Sequence, residues 1–193
     1  SYFDLLDPKW KKKILLSDPR GGGGGGFMFF AHLRYYKVLD DDYYRRFMAQ
    51  EPILWGGATP EEYNMMARGE ALVDPVTSSS GVAYLILEGA PLKILGMKEG
   101  NLTQGDSISI VKEPPHPNAA RLFMNWIFSQ EGQTVYAKAG SFQSIRKDVP
   151  DFTDPKVRVQ PEPQKLLPAD WAVSEATNQY QKEGVIENIL GKK

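Results

Sequence analysis

The 193-residue chain is 41% hydrophobic and 24% charged, with 23 basic residues against 24 acidic ones and a formal net charge of -1. So even a balance gives no long-range attraction to nucleic acid or anionic lipid, and no apolar stretch is long enough to span a bilayer. The absence of cysteine excludes a disulfide framework, a thiol nucleophile and a thiolate metal site.

In chain order, Asp7-Pro8 marks a turn, and Ile14-Leu15-Leu16 reads as a short strand. Ser17-Asp18-Pro19 ends it, because proline has no N–H for a ladder and aspartate favours turns. Glycine fills all of Gly21, Gly22, Gly23, Gly24, Gly25 and Gly26, after which Phe27, Phe30, Ala31, Leu33 and Val38 recur at near-helical spacing. Asp40, Asp41 and Asp42 predict the acidic start of a second helix. "EPILWGG" predicts a second strand stopped by Gly56-Gly57. Thr59 as cap, Pro60 at the first helical position and Glu62 three residues after the cap predict a helix ending near Gly69.

"ALVDPVTSSSG" reads as a third strand and a polar loop, "VAYLILEG" as a helix and "APLKILGM" as a fourth strand. "DSISIVK" alternates with period two, the pattern of a strand with one wet face. Pro117 opens a helix striped by Phe123, Trp126 and Ile127, a second helix stops near Gly140, and His116 reads as a helix cap. "DVPDFTDPKVRVQPEPQKLLP" predicts an extended surface crossing, and "DWAVSEATNQYQKEGVIENIL" a helical tail.

Strand and helix in alternation predict an α/β fold with a mainly parallel sheet flanked by helices. Ligands of such sheets gather beyond the carboxyl ends of the strands, where three polar corners fall: Ser17 to Gly26, Gly56 to Thr59, and Asp74 to Ser80. The glycine run offers main-chain N–H groups at a helix start, an anion cradle, with Arg20 beside it to pair a carboxylate or phosphate. It lacks the Gly-Lys-Ser/Thr ending of a nucleotide-binding P-loop. Each glycine costs backbone entropy on ordering, so a uniform run of six points to a neutral spacer, or a placeholder, standing where a loop with side chains belonged, the alternative being a natural flexible linker.

Thr77, Ser78, Ser79 and Ser80 offer hydroxyls to a small polar ligand, or simply cap a helix. Trp55 is a stacking wall or a core anchor. His32 and His116 lie far apart without partners at metal spacing, the pairs Tyr35-Tyr36 and Tyr43-Tyr44 point their rings apart on a helix, and Asp40 to Asp42 read as a solvated helix start. The sequence therefore assigns no metal, no cofactor and no catalytic residue. A transferase-type enzyme with an anion-cradling loop is the rival, and it would need a nucleophile or base that no motif supplies.

"EPPHPNAARLFMNWIFSQEGQ", Glu113 to Gln133, resembles the C-terminal signature of type II periplasmic substrate-binding proteins of ABC transporters, nearest their iron, polyamine and phosphonate-like group. "DLLDPKWKKKILLSDPR" (Asp4 to Arg20), "ARGEALV" (Ala67 to Val73), "LEGAPLKIL" (Leu87 to Leu95) and "SIRKDVP" (Ser144 to Pro150) fall in register with it. The resemblance implies a type II lobe with residues 1–98 as the second, ligand-binding lobe, 99–150 as a segment returning to the first lobe and hinge, and 151–193 as a crossing and helical tail. It also implies that most of the first lobe is missing and that the six glycines replace a loop that commonly touches ligand. The function implied is binding of a small polar or anionic solute, periplasmic or extracellular, with an ABC permease as partner and no enzymatic role. Ferric iron is disfavoured, since no tyrosine pair stands near "DPVTSSSG". A fragmentary or engineered scaffold with an emptied binding loop is the other alternative, and the uncovered apolar surface would favour self-association.

Overall fold

The structure, a computed structural model, describes residues 1–21, 24–57, 59–103, 107–159 and 165–191. Its centre is β1 (Leu15–Ser17), preceded by Ile14; Ile14, Leu15 and Leu16 are all fully buried. A strand buried on both faces needs such an unbroken apolar run. β1 pairs in parallel with β2 (Ile53–Trp55), Leu15 opposite Ile53 and Ser17 opposite Trp55. On its other edge Ile14 bridges Val73, also in parallel, with the Leu15 N–H donating to the Val73 carbonyl at 2.8 Å. A second parallel pair joins β3 (Asn101–Thr103) to β4 (Leu166–Pro168).

The helices are α1 (Gly24–Tyr35), α2 (Asp41–Met48), α3 (Thr59–Ala67), α4 (Ser79–Leu87), α5 (Pro117–Ile127), α6 (Gln130–Gly140), α7 (Trp171–Lys182) and α8 (Val185–Leu190). Asp40 caps α2, its Oδ1 accepting the Tyr43 N–H at 2.9 Å, as the acidic run predicted. α1 lies on β1 and is covered by α7, while α8 closes on α2. Between them sits an aromatic layer. Phe30 stacks on Tyr44 at 4.4 Å, and Phe29 meets Phe47 at 5.0 Å. The buried Tyr44 hydroxyl bonds the carbonyls of Phe29 and Phe30, and the Tyr43 hydroxyl bonds that of Tyr2. This tyrosine pair is core. A smaller cluster forms from Tyr63, Val82, Ala83 and Ile86 of α3 and α4, closed by Val157 from the crossing.

Of the predicted strands, the third is reduced to the single bridge at Val73, and two more do not form. Residues 90–97 run irregularly with one bridge position at Leu95, Leu92 and Ile94 packing against the α3–α4 cluster instead. Residues 107–112 are irregular too, with Ile108, Ile110 and Val111 exposed; Asp106 lies outside the described residues. Period-two alternation makes a strand only where a neighbour pairs with it, and no described residue does so here. His116 occupies the N-cap position of α5 but makes no side-chain cap bond. The predicted tail divides at Gly184, whose φ of 64° breaks it into α7 and α8.

The largest departure concerns the glycines. α1 starts inside the run, at Gly24, whose φ is +77°. A Cβ on Gly25 would lie 2.2 Å from the Val76 carbonyl oxygen, and one on Gly26 would lie 1.7 Å from that of Ser17. Both neighbours are backbone and cannot swing aside. At these three positions the chain as folded has no room or no conformation for a side chain; Gly22 and Gly23 lie outside the described residues.

Two expectations follow, both read by urea unfolding. Gly26→Ala loses about 2–3 kcal/mol through overpacking against backbone, whereas Gly69→Ala, where φ is +75° and no atom lies within 4 Å, loses only about 1 kcal/mol of conformational strain. Tyr44→Phe leaves two buried carbonyls without that donor and loses about 1–2 kcal/mol.

Candidate functional site

β1, β2 and the Val73 bridge run in one direction, so the three polar corners leave the sheet at the same end. Direct bonds hold them together. The Asp18 N–H donates to the Trp55 carbonyl at 2.8 Å, joining the first corner to the second. The Gly26 N–H donates to Ser17 Oγ at 2.9 Å, tying the start of α1 to the strand tip. The Val76 carbonyl of the third corner abuts Gly25 of the first. Tyr63 of α3 is hydrogen-bonded by the Thr77 side chain and the Ser78 backbone. Gly81 makes room for that ring, since a Cβ there would lie 2.4 Å from it.

The sequence-predicted residues fall as follows. Ser17 sits at the tip of β1 and Gly21 ends a short 3-10 turn, Pro19–Gly21. Arg20 donates its Nε–H and an Nη2–H to Asp18 at 2.9 and 2.8 Å, so its fork is engaged within its own corner. That pair is largely shielded from water, which makes its two bonds stronger than those of a surface pair. Trp55 is half-buried, belongs to neither apolar cluster, and folds its ring over Gly57. Thr77, Ser78, Ser79 and Ser80 are exposed on the rim. Ser78 also caps α4, its Oγ accepting from the Gly81 N–H at 3.4 Å, so the capping and the exposed-hydroxyl readings both hold for it. Gly22, Gly23 and Ala58 lie outside the described residues.

Two carboxylates beneath this rim were not singled out from the sequence. Glu62, read there as part of a helix-start pattern, does stand in the first turn of α3, and it is also buried and takes a hydrogen bond from the Ser17 backbone. Burial raises its pKa, partly offset by that bond. Asp74 Oδ1 accepts the Val76 N–H at 3.0 Å, while its Oδ2 is buried with no hydrogen-bond partner. Desolvation, with a further push from Glu62, raises the Asp74 carboxyl to about 7. No pattern of spacing announces either residue. The only signal was that Val73-Asp74-Pro75 turns at a strand end.

Elsewhere, a groove of about 550 Å³ is lined by Arg34, Asp40 to Asp42, Tyr43 and Tyr180. It lies at the far end of α1 from the strand tips, about 18 Å along a twelve-residue helix. Arg34 pairs with Asp41 there and stacks over Tyr180 at 5.5 Å. His32 is buried on α1, and burial lowers its pKa, keeping it neutral. Among the described residues no group of three or more His, Asp or Glu side chains is arranged to hold a metal ion, and no helix is long and apolar enough to cross a membrane.

The three corners bring the Ser17 tip, the start of α1, the Trp55 ring and the exposed hydroxyls of Thr77 to Ser80 to one end of the sheet. The sequence model of a family described as bacterial extracellular solute-binding protein matches residues 1–176. The chain is also 29% identical over 192 residues to an uncharacterised protein of Haemophilus influenzae, covering 95% of this chain and 52% of the relative. It therefore spans about half the length of the curated relative it matches. The match over residues 1–176, on a mixed α/β chain with short parallel sheets flanked by helices, shows that this chain belongs to the bacterial extracellular solute-binding protein family.

Proposed function

We propose that the chain is the second lobe of a periplasmic solute receptor that delivers a small polar or anionic solute to an ABC permease, holding it at the strand tips. The observation that carries this reading is the convergence of three polar corners at one end of a parallel sheet, linked by the Asp18–Trp55 and Gly26–Ser17 hydrogen bonds. Ser17, the main chain at the start of α1 and the hydroxyls of Thr77 to Ser80 supply polar contacts, and Trp55 supplies a face; Gly22 and Gly23 of the expected cradle lie outside the described residues. Arg20, held by Asp18, acts as a fixed positive neighbour rather than a mobile clamp. No catalytic role is assigned to any residue.

The lobe assignment, residues 1–98 with the tail 151–193 against a segment 99–150 that returns to a first lobe, is supported by how the α5–α6 hairpin is covered. α5 and α6 pack on each other, and neither contributes to the two apolar clusters among the described residues. Leu122 is 71% exposed, Ile145 79%, and Phe123, Phe128 and Val135 are also exposed. Apolar surface of this extent favours association. A first lobe covering that face and closing over the tips would exclude water from a solute held there.

Calorimetric titration with small carboxylates, phosphates and phosphonates tests the reading. Binding to the 193-residue chain is expected to be weak, and roughly 100-fold tighter in a chain extended by a first lobe, because closure and desolvation are restored. Turnover of any of these compounds, or equal affinity in both chains, contradicts it. Sedimentation of the 193-residue chain should show concentration-dependent self-association that Leu122→Ser combined with Phe123→Ser abolishes.

A further inference from the structure

The bend from Asp74 to Ser80 is clamped from two sides. Its Val76 carbonyl rests on Gly25 of α1, and Tyr63 of α3 is bonded to Thr77 and Ser78. Inside that clamp Asp74 Oδ2 has no partner, although Oδ1 is bonded to the Val76 N–H. The groups acting on it are those two halves of its own bend and, from α3, Glu62 and Tyr63. From β1 comes the Ser17 backbone bond to Glu62, and at the next corner Arg20 is engaged by Asp18. From α4 the nearby groups are the neutral hydroxyls of Ser78 and Ser80, bonded to each other at 2.9 Å. Among the described residues no cation balances Asp74.

We propose that Asp74, with Glu62 beside it, makes the strand-tip bend proton-linked: the bend is closed on α3 while the Asp74 carboxyl is protonated and opens when it ionises. An ionised carboxylate in this position is buried, unpaired on one oxygen and faced by a second carboxylate, which is among the costliest arrangements a fold can hold. Opening the bend hydrates it. The sign follows from the direction of the shift. A carboxyl raised to about 7 binds its proton more tightly in the closed bend than in the open one. Closure is therefore fully favoured below the ordinary carboxylate range of about 4 and is lost as pH climbs through about 7. Resting on the receptor reading above, the functional consequence is that a solute held at these tips is held best at acid pH.

Hydrogen exchange of the full chain between pH 6 and pH 8, with rates corrected for intrinsic base catalysis, reads this directly. Protection of the amides of Val76 to Val82 is expected to fall about ten-fold over that range, while amides of α1 beyond its first turn stay constant. In Asp74→Asn the fall disappears. In Glu62→Gln it moves to lower pH, because removing the like charge lowers the Asp74 pKa; carbon-13 titration of Asp74 checks this directly. A midpoint near 7 in wild type that drops in Glu62→Gln, accompanied by the same displacement of the exchange transition, supports the proposal. Constant protection in wild type, or an unchanged fall in Asp74→Asn, overturns it. Should Asp74→Asn fail to fold, Glu62→Gln and the carbon titration decide alone. Solute titration of the same samples separates the two readings: a pH-dependent bend without solute binding keeps the proton link and ends the receptor reading, and solute binding with a pH-independent bend does the reverse.

Discussion

The main chain at the start of α1 lies so close to two carbonyls, those of Ser17 and Val76, that Gly25 and Gly26 have no room for a β-carbon. That contact sets the rest of the arrangement. It fixes where α1 leaves the tip of β1, and hence how deep Phe29 and Phe30 reach into the aromatic layer beneath α2. It also draws the Asp74–Ser80 bend against the first corner, so that the strand tips share one surface instead of fraying into separate loops. Loosening it would cost both packing in the core and the alignment of the rim.

Much of this fold was legible from residue types. Ile14-Leu15-Leu16 announced a short strand, Asp40 a helix cap, and the alternation of short apolar runs with helical ones a parallel arrangement. The glycines were not legible, because six identical residues carry no periodicity, and flexibility and close approach look the same in a sequence. What separates them is which carbonyls stand opposite, a tertiary fact. The strands expected over 90–97 and 106–112 fail for a related reason: alternation records what a segment can do if a neighbour pairs with it, not whether one does. Ile108 and Ile110 remain exposed, as does much of the α5–α6 hairpin.

The chemistry of the tips was half visible. Hydroxyls at Thr77 to Ser80 and Trp55 before two glycines stood out as polar and aromatic punctuation at strand ends. Glu62 and Asp74 did not, since a carboxylate in a helix or a turn is ordinarily solvated, and only the folded arrangement buries these two beneath the rim. Their presence changes the electrostatic reading. The start of a helix favours an anion, while two shielded carboxyls with the nearby Arg20 locked to Asp18 restrain that attraction. On the proposed reading, a solute at these tips is held by directed hydrogen bonds more than by net charge.

The chain spans about half of its Haemophilus influenzae relative, 52% of that protein's length. The most direct measurement of the account is amide chemical-shift mapping of the nitrogen-15-labelled chain during titration with the small carboxylates and phosphates. Perturbations confined to Ser17 to Gly26, Trp55 to Gly57 and Thr77 to Ser80 are the predicted result. Perturbations centred on the far groove of Arg34, Asp41 and Tyr180, with the strand tips unmoved, would contradict it.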